Sequence, residues 1–222
     1  MPTYAVRAPL ARWLHGEAVR AFDDLGPYRL LDVGCGQKPY QPLFAPYATS
    51  YIGVDPVENP AAEVRGYVEA LPIADGSSEV TICIQVFEHC DDPAKAVAEL
   101  ARVTTPGGRV LVSTHGVMAY HPSPADYWRW THAGLEKLFR ENADWASVRV
   151  MPASGTTACL GMIASLYLSL ATRRAHIGAV SRPLIAGINT IAEAIDGRSA
   201  KLREAGPGTL SANFHVVAER RA

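Results

Sequence analysis

Three short runs, Tyr28 to Val33 (YRLLDV), Glu79 to Val86 (EVTICIQV) and Arg109 to Ser113 (RVLVS), are apolar at nearly every position instead of alternating. A strand with one wet face alternates, whereas a strand apolar throughout is covered on both faces, as in a parallel sheet between helices. Segments of helical period separate these runs. Leu10, Leu14, Ala18, Ala21, Phe22 and Leu25 recur at helical spacing, with Pro9 expected as the first helical residue and Gly26-Pro27 as the stop. Ser50 to Val54 reads as a second strand and Val64 to Val68 as a short third. Asp92 and Pro93 open a helix whose buried stripe is Ala94, Val97, Leu100 and Ala101, and Thr105-Pro106-Gly107-Gly108 ends it. Thr131 caps a helix carrying Leu135, Leu138 and Phe139, and Trp145 to Met151 alternates as a strand. Helical stretches follow at about Thr156–Thr172 and Pro183–Glu204, the latter with Leu184, Ile188, Ile191, Ala192 and Ile195 in register to pack on the first helix, and Ser211 to Glu219 closes as a strand. Alternating strands and helices give a mostly parallel α/β sheet, in which ligands bind at the carboxyl ends of the strands. The expected organisation is one domain over 1–222: a helix at 1–26, a core at 28–152, a helical insertion at 153–208 and a final strand at 209–222.

The segment Leu30 to Tyr40, LLDVGCGQKPY, falls at such an edge. Gly34 and Gly36 let the backbone turn tightly and approach a ligand closely. Asp55 ends the second strand, where a carboxylate can accept both hydroxyls of a ribose. Pro39 occupies the third glycine position of a dinucleotide fingerprint, which disfavours a pyrophosphate at that turn. Asp32, just before the glycines, would repel a pyrophosphate but suits a cationic group such as an α-amine. The plainer reading, that both aspartates only cap turns, is weaker because both fall at the sheet edge.

These fragments resemble the class I S-adenosylmethionine-dependent methyltransferases, and in particular their type-11-like domain, from about Leu30 to Val150. DVGCG, YIGVD, ALPIADGSSEVTICIQVFEH and ARVTTPGGRVLVST stand in the family's order and spacing. The resemblance implies a Rossmann-like seven-stranded sheet with helices on both faces, the last strand antiparallel, and S-adenosylmethionine as cofactor. It implies that Gly34, Cys35 and Gly36 face the methionine part, that Asp32 holds its amino end, and that Asp55 binds the ribose with Pro56 beside the adenine. Ala70 and Leu71 would flank the adenine, with Gln85 and Val86 below the sulfonium. Many family members carry Asp where this chain has Tyr67. IQVFEH stands where amide and nucleobase amine methylators carry an NPPY-type motif.

Ser113 to Thr131, STHGVMAYHPSPADYWRWT, follows the fifth strand and would hang over the donor site. Methyl transfer aligns a nucleophile with a sulfonium carbon and excludes water. If the nucleophile is a hydroxyl, histidine titrates in the range a base requires. His115 is the first candidate, His89 and His121 the next, and Tyr120, Tyr127 and Arg129 are candidate acceptor-binding residues. Trp128 and Trp130 read first as packing anchors. His115, His121 and Asp126 could ligate a metal by residue type, but their spacing matches no metal motif, and no metal is expected.

The formal net charge is −1, from 21 Lys+Arg and 22 Asp+Glu, so there is no broad basic surface for nucleic acid. A small-molecule, sugar or lipid-linked acceptor is expected, with oxygen as the methylated atom. The four cysteines form no CxxC pair, and Arg7 and Arg12 break any apolar leader, which points to a reducing cytoplasm. Val150 to Thr172 holds no Asp, Glu, Lys, Arg or His. Its helical part is too short and too rich in Gly and Ser for a stable span, and a span would strand the last β-strand on the wrong side. The readings of this stretch are, in order, a buried or substrate-covering helix, a homodimer interface, and a membrane-surface contact that would make the protein a membrane-peripheral lipid or quinone-type methyltransferase. A non-catalytic S-adenosylmethionine-binding protein is the alternative from a different class.

Overall fold

A computed structural model describes residues 2–174 and 178–222; Met1 and residues 175–177 of the insertion lie outside the described residues. Its strands are β1 (Tyr28–Val33), β2 (Ala48–Asp55), β3 (Val64–Arg65), β4 (Ser78–Ile84), β5 (Thr104–His115), β6 (Trp145–Pro152) and β7 (Asn213–Arg220). Its helices are α1 (Tyr4–Leu25), α2 (Gln41–Phe44), α3 (Pro93–Val103), α4 (His132–Asn142), α5 (Thr156–Arg174) and α6 (Gly178–Gly197). The strands form one sheet in the order β3-β2-β1-β4-β5-β7-β6. β1 to β5 pair in parallel, and β7 runs antiparallel between β5 and β6. This is the Rossmann-like arrangement expected from the sequence. The strand order reverses between β1 and β4, so their carboxyl ends flank the crevice where such sheets take ligands.

The apolar strands are apolar because each face has its own helical cover. Leu31 and Val33 of β1, Cys83 of β4, and Val110 and Val112 of β5 pack with Ala96, Val97 and Leu100 of α3 and Leu135 and Phe139 of α4. Tyr28 and Leu30, Val80, Ile82 and Ile84, and Leu111 point the other way, onto Leu10, Leu14, Ala18 and Ala21 of α1. One polar chain crosses the first core: Thr81 shares hydrogen bonds with Ser78 (2.8 Å) and Thr104 (2.7 Å), and Thr104 donates to the Leu100 carbonyl. Every hydroxyl in it is partnered, as burial requires.

Several boundaries differ from expectation. α1 begins at Tyr4 and carries Pro9 inside it, at the cost of one intrahelical hydrogen bond. β3 is only two residues long, and β4 stops at Ile84 because Gln85 takes a left-handed φ of 59° that turns the chain out of the sheet. β5 extends through the Thr105–Gly108 turn, since Ser78 pairs with Thr104 before the register shifts, and it continues to His115. The last helix starts at Gly178 and holds Pro183 within it. Its buried side is Ile185, Asn189, Ala192 and Asp196, whereas Leu184, Ile191 and Ile195, expected to pack on the first helix, are exposed. Asp196 sets that rotation by accepting the Thr157 (3.0 Å) and Ala158 (2.8 Å) N–H groups at the open start of α5. α5 and α6 pack against each other. Among the described residues no helix is long and apolar enough to cross a membrane. All four cysteines are free and buried.

Candidate active site

The crevice is built from the turn after β1 and the end of β2. Gly34 has φ 73° and Gly36 φ 50°, values that favour glycine. A Cβ on Gly34 would stand 2.3 Å from Val86 Cγ2, so this glycine lets Val86 close against the turn. A Cβ on Gly36 would meet nothing within 4 Å, and the open space before it is the cradle for a ligand. Asp55 is buried and accepts the Gly36 N–H at Oδ2 (2.9 Å) and the Val57 N–H at Oδ1 (3.1 Å). One donor per oxygen leaves a lone pair on each for a vicinal diol. Asp32 is 1% exposed, and the Tyr51 hydroxyl donates to its Oδ2 (2.6 Å). Burial pushes its carboxyl up to about 7, while Tyr51 and Lys38 oppose the rise. A buried carboxylate with one donor is suited to a cationic ligand group. Cys35 turns its thiol inward toward the close-packed Gly53, and burial raises it to about 11, so this residue offers its backbone alone.

Pro56 is half-buried beside this crevice, Ala70 exposed and Leu71 buried, its N–H held by Glu99 (2.7 Å). Tyr67 is exposed and bridges to Ala70. Beyond the end of β4, the Gln85 amide donates to Ser113 Oγ (3.0 Å) and Asn213 Oδ1 (3.1 Å). Val86 is half-buried against the first core.

A buried pair lies at the carboxyl end of β5. His115, the last residue of β5, lies with Nε2 3.2 Å from Glu88 Oε1 and Nδ1 3.3 Å from Asn213 Oδ1. Glu88 is fully buried, in the short helical turn Phe87–His89, and accepts the Thr114 hydroxyl at Oε2 (2.8 Å). Burial lowers the His115 pKa, with Glu88 opposing. The rings of His121 and His115 lie 5.7 Å apart, and those of His89 and His121 5.2 Å apart, so the three candidate histidines form one cluster. Tyr120 and Tyr127 are exposed rather than enclosed.

Arg129, expected to bind acceptor, uses its donors on the loop itself. Nε–H goes to the Met118 carbonyl (3.1 Å), Nη1 to Asp126 and the Trp128 carbonyl, and Nη2 to the Ala119 carbonyl (3.1 Å) and Asp126. A guanidinium has five N–H groups, and all five are taken. Its role here is to pin the loop. Trp128 donates to the Cys90 carbonyl (2.7 Å) and stacks on Trp130, as packing anchors do. A cavity of about 720 Å³ lies between Val117–Ala119 and the α5 residues Ile163, Leu166, Tyr167 and Leu170, and it is lined chiefly by apolar groups.

Glu88 and Asn213 join His115 only through the fold. FEH after a buried strand marked Glu88, but its carboxylate faces inward only because the next loop folds back over it: Tyr127 and Trp128 both donate to its carbonyl. Asn213 carries no sequence signal. Its place comes from antiparallel pairing, which sets it opposite His115.

The strand order is that of a Rossmann-like α/β domain, with the glycine turn and the two carboxylates at the edge where such sheets take ligands. Residues 31–112 match the family model described as methyltransferase domain. A protein of Mycolicibacterium smegmatis named as a probable S-adenosylmethionine-dependent methyltransferase is 37% identical over 103 residues, 42% of this chain and 40% of that protein. The chain thus spans about two fifths of the length of that relative. The fold is similar to that of the YcgJ protein of Bacillus subtilis (TM-score 0.54, 18% identity, 95% of this chain and 99% of that one). It is similar also to that of phosphoethanolamine N-methyltransferase 2 of Haemonchus contortus (TM-score 0.55, 14% identity, 96% of this chain and 57% of that one).

Proposed function

We propose that this protein transfers the sulfonium methyl of S-adenosylmethionine to a hydroxyl oxygen of a small or lipid-linked acceptor. The observation that carries the oxygen assignment is the buried His115–Glu88 pair at the carboxyl edge of β4 and β5. The Gly36 cradle, the two free lone pairs of Asp55 and the singly bonded Asp32 carboxylate fit the cofactor. The cofactor supplies an electrophilic carbon when bound. Asp32 holds the amine, the backbone of Gly34, Cys35 and Gly36 lies along the methionine part, and Asp55 takes the ribose hydroxyls. Pro56, Ala70 and Leu71 border the adenine, with Gln85 and Val86 beneath the sulfonium. The His115–Glu88 pair receives the hydroxyl proton, with Glu88 Oε1 making no hydrogen bond of its own among the described residues, and the loop pinned by Arg129, which carries His121, Tyr120 and Tyr127 beside His89, excludes water.

The apolar cavity beside Val117–Ala119 favours an acceptor with an apolar body over a bare sugar. The membrane-peripheral version of this reading is favoured by exposed Leu160, Tyr167 and Leu170 on α5 and by Arg173 and Arg174 at its end. Co-sedimentation with anionic vesicles tests it, and Leu170→Ser should release the protein. A homodimer through exposed Leu184, Ile191 and Ile195 is the competing use of this surface, and sedimentation of the full chain separates the two.

Calorimetry with S-adenosylmethionine tests the cofactor assignment. Asp55→Ala should weaken binding by about 1–3 kcal/mol through loss of charged hydrogen bonds. No binding by the wild type at millimolar ligand would overturn the function. An S-adenosylhomocysteine-release assay across phenols, sugars, hydroxylated lipids and amines then tests the nucleophile. Methylation of amines alone would overturn the oxygen assignment.

A further inference from the structure

The loop after β5 gathers a second group of side chains that the cofactor site does not use. One ring nitrogen each of His89 and His121 and one carboxylate oxygen of Asp126 lie within 4.8 Å of one another. We propose that His89, His121 and Asp126 form a binding site for a divalent first-row transition metal, of the zinc or cobalt type, beside the acceptor.

Four observations carry this. Two imidazoles and one carboxylate are a donor set that such ions take while keeping open positions. His121 Nδ1 is buried without a hydrogen-bond partner and lies 3.8 Å from Asp126 Oδ2, so a nitrogen is held inside the cluster with nothing to satisfy it. His89 Nδ1 is 2.7 Å from the Ala125 carbonyl, which can only accept, so that nitrogen carries the proton and Nε2 keeps its lone pair. Fixing a ligand ring through its other nitrogen is how metal-binding histidines are oriented. Asp126 is held in the same manner. Arg129 bridges both oxygens and the His121 backbone N–H reaches Oδ2 (3.1 Å), so the carboxylate is fixed at the cluster. The Arg129 guanidinium offsets part of the carboxylate charge. The residues come from the turn after β4 and the loop after β5, so no linear spacing announces them.

The chemical role rests on the methyl-transfer reading, whereas metal binding does not. An acceptor hydroxyl bound at an open position would have its pKa lowered. Its proton would pass to the His115–Glu88 pair, its electron pair would form the O–C bond, and the C–S pair would return to sulfur, leaving a methyl ether and S-adenosylhomocysteine.

The test uses the full chain stripped of metal and titrated with Zn2+ by calorimetry and with Co2+ by visible absorption. One equivalent should bind. His89→Ala and His121→Ala should each weaken it by roughly tenfold or more, and His15→Ala, an exposed histidine on α1, should leave it unchanged. X-ray absorption of zinc-loaded wild type needs no variant and should show imidazole scattering with Zn–N of about 2.0–2.1 Å and no sulfur. Absence of stoichiometric binding, a sulfur shell, or binding that survives both histidine changes would overturn the site. S-adenosylmethionine titration of the stripped protein is read separately: cofactor binding without metal binding refutes this site alone, and metal binding without cofactor binding refutes the methyl-transfer reading alone.

Discussion

Replacing Asp32 by Asn should stabilise the fold at pH 8 and weaken cofactor binding in the same protein. Asp32 is 1% exposed, and burial raises its carboxyl to about 7, with Asp55 and Glu63 adding to the rise and Tyr51 and Lys38 opposing it. In the unfolded chain an aspartate titrates near 3.9. The folded value is the higher one, so the native state holds the proton more tightly, and stability is lost as pH rises from about 4 to about 7. With about 1.4 kcal/mol for each pH unit between the two values, the ionisation penalty is about 4 kcal/mol at pH 8 and about 1.5 kcal/mol at pH 5. Asparagine cannot ionise and keeps an oxygen to accept from Tyr51 (2.6 Å in the wild type), while its buried NH2 costs about 1–3 kcal/mol if unpartnered. That cost is the same at both pH values, so the difference between them isolates the carboxylate. Urea unfolding of both proteins without ligand should show the Asn variant gaining about 2.5 kcal/mol more at pH 8 than at pH 5. An equal shift at the two pH values would refute the buried, ligand-poised carboxylate. Calorimetry should show weaker S-adenosylmethionine binding by the same variant, and this pairs a stability gain with a functional loss.

Gly34→Ala must adopt φ 73° and push a methyl to within 2.3 Å of Val86 Cγ2, so it should lose cofactor affinity and about 1–2 kcal/mol of stability on thermal unfolding; an unaffected affinity would remove this turn from the site. His215 stacks on Trp13 at 4.1 Å, and burial lowers its pKa to about 3. Its contribution is therefore lost as pH falls from about 6.5, with about 2 kcal/mol gone by pH 5, and in His215→Phe the fall in unfolding free energy between pH 7 and pH 5 should be smaller by that amount. Gly116→Ala would set a Cβ 2.3 Å from the Ser211 carbonyl, so acceptor turnover should fall while S-adenosylmethionine affinity is kept; a parallel loss of both would show that the two halves of the site are not separable.

The donor half was legible because each of its residues is fixed locally. A buried strand must end, its glycines must turn, and Asp32 and Asp55 sit at strand ends that the hydrophobic pattern already places. The acceptor half was legible by residue type and not by geometry. Pattern named His115 but not its partners, because Glu88 and Asn213 meet it only through tertiary pairing, the latter 98 positions away. Arg129 was misread for the same reason: an arginine among aromatics looks available until the carbonyls of Met118 and Ala119 turn toward it. In the insertion, helical period alone placed the apolar residues of α6 inward. The decisive group was polar, since Asp196 capping α5 rotates Leu184, Ile191 and Ile195 outward.

These tertiary pairings tie the insertion to the chemistry. β7 begins at Asn213, directly after the insertion, and its first side chain joins Gln85, Ser113 and His115 in one buried network. The two residues before it accept the N–H groups of Gly116 (3.0 Å, at Ala212) and Val117 (2.8 Å, at Ser211), which start the acceptor loop. Ala212 also packs with Ala158, Cys159 and Met162 of α5. A shift of α5, whether from an acceptor entering the cavity beside Val117 or from a partner surface meeting its exposed side, is therefore passed through Ser211–Asn213 to the residues around His115. The same network reaches the cofactor side at Gln85, whereas Asp32 and Asp55 are held by β1 and β2. Acceptor choice can change with the insertion while the Asp32–Asp55 crevice stays fixed.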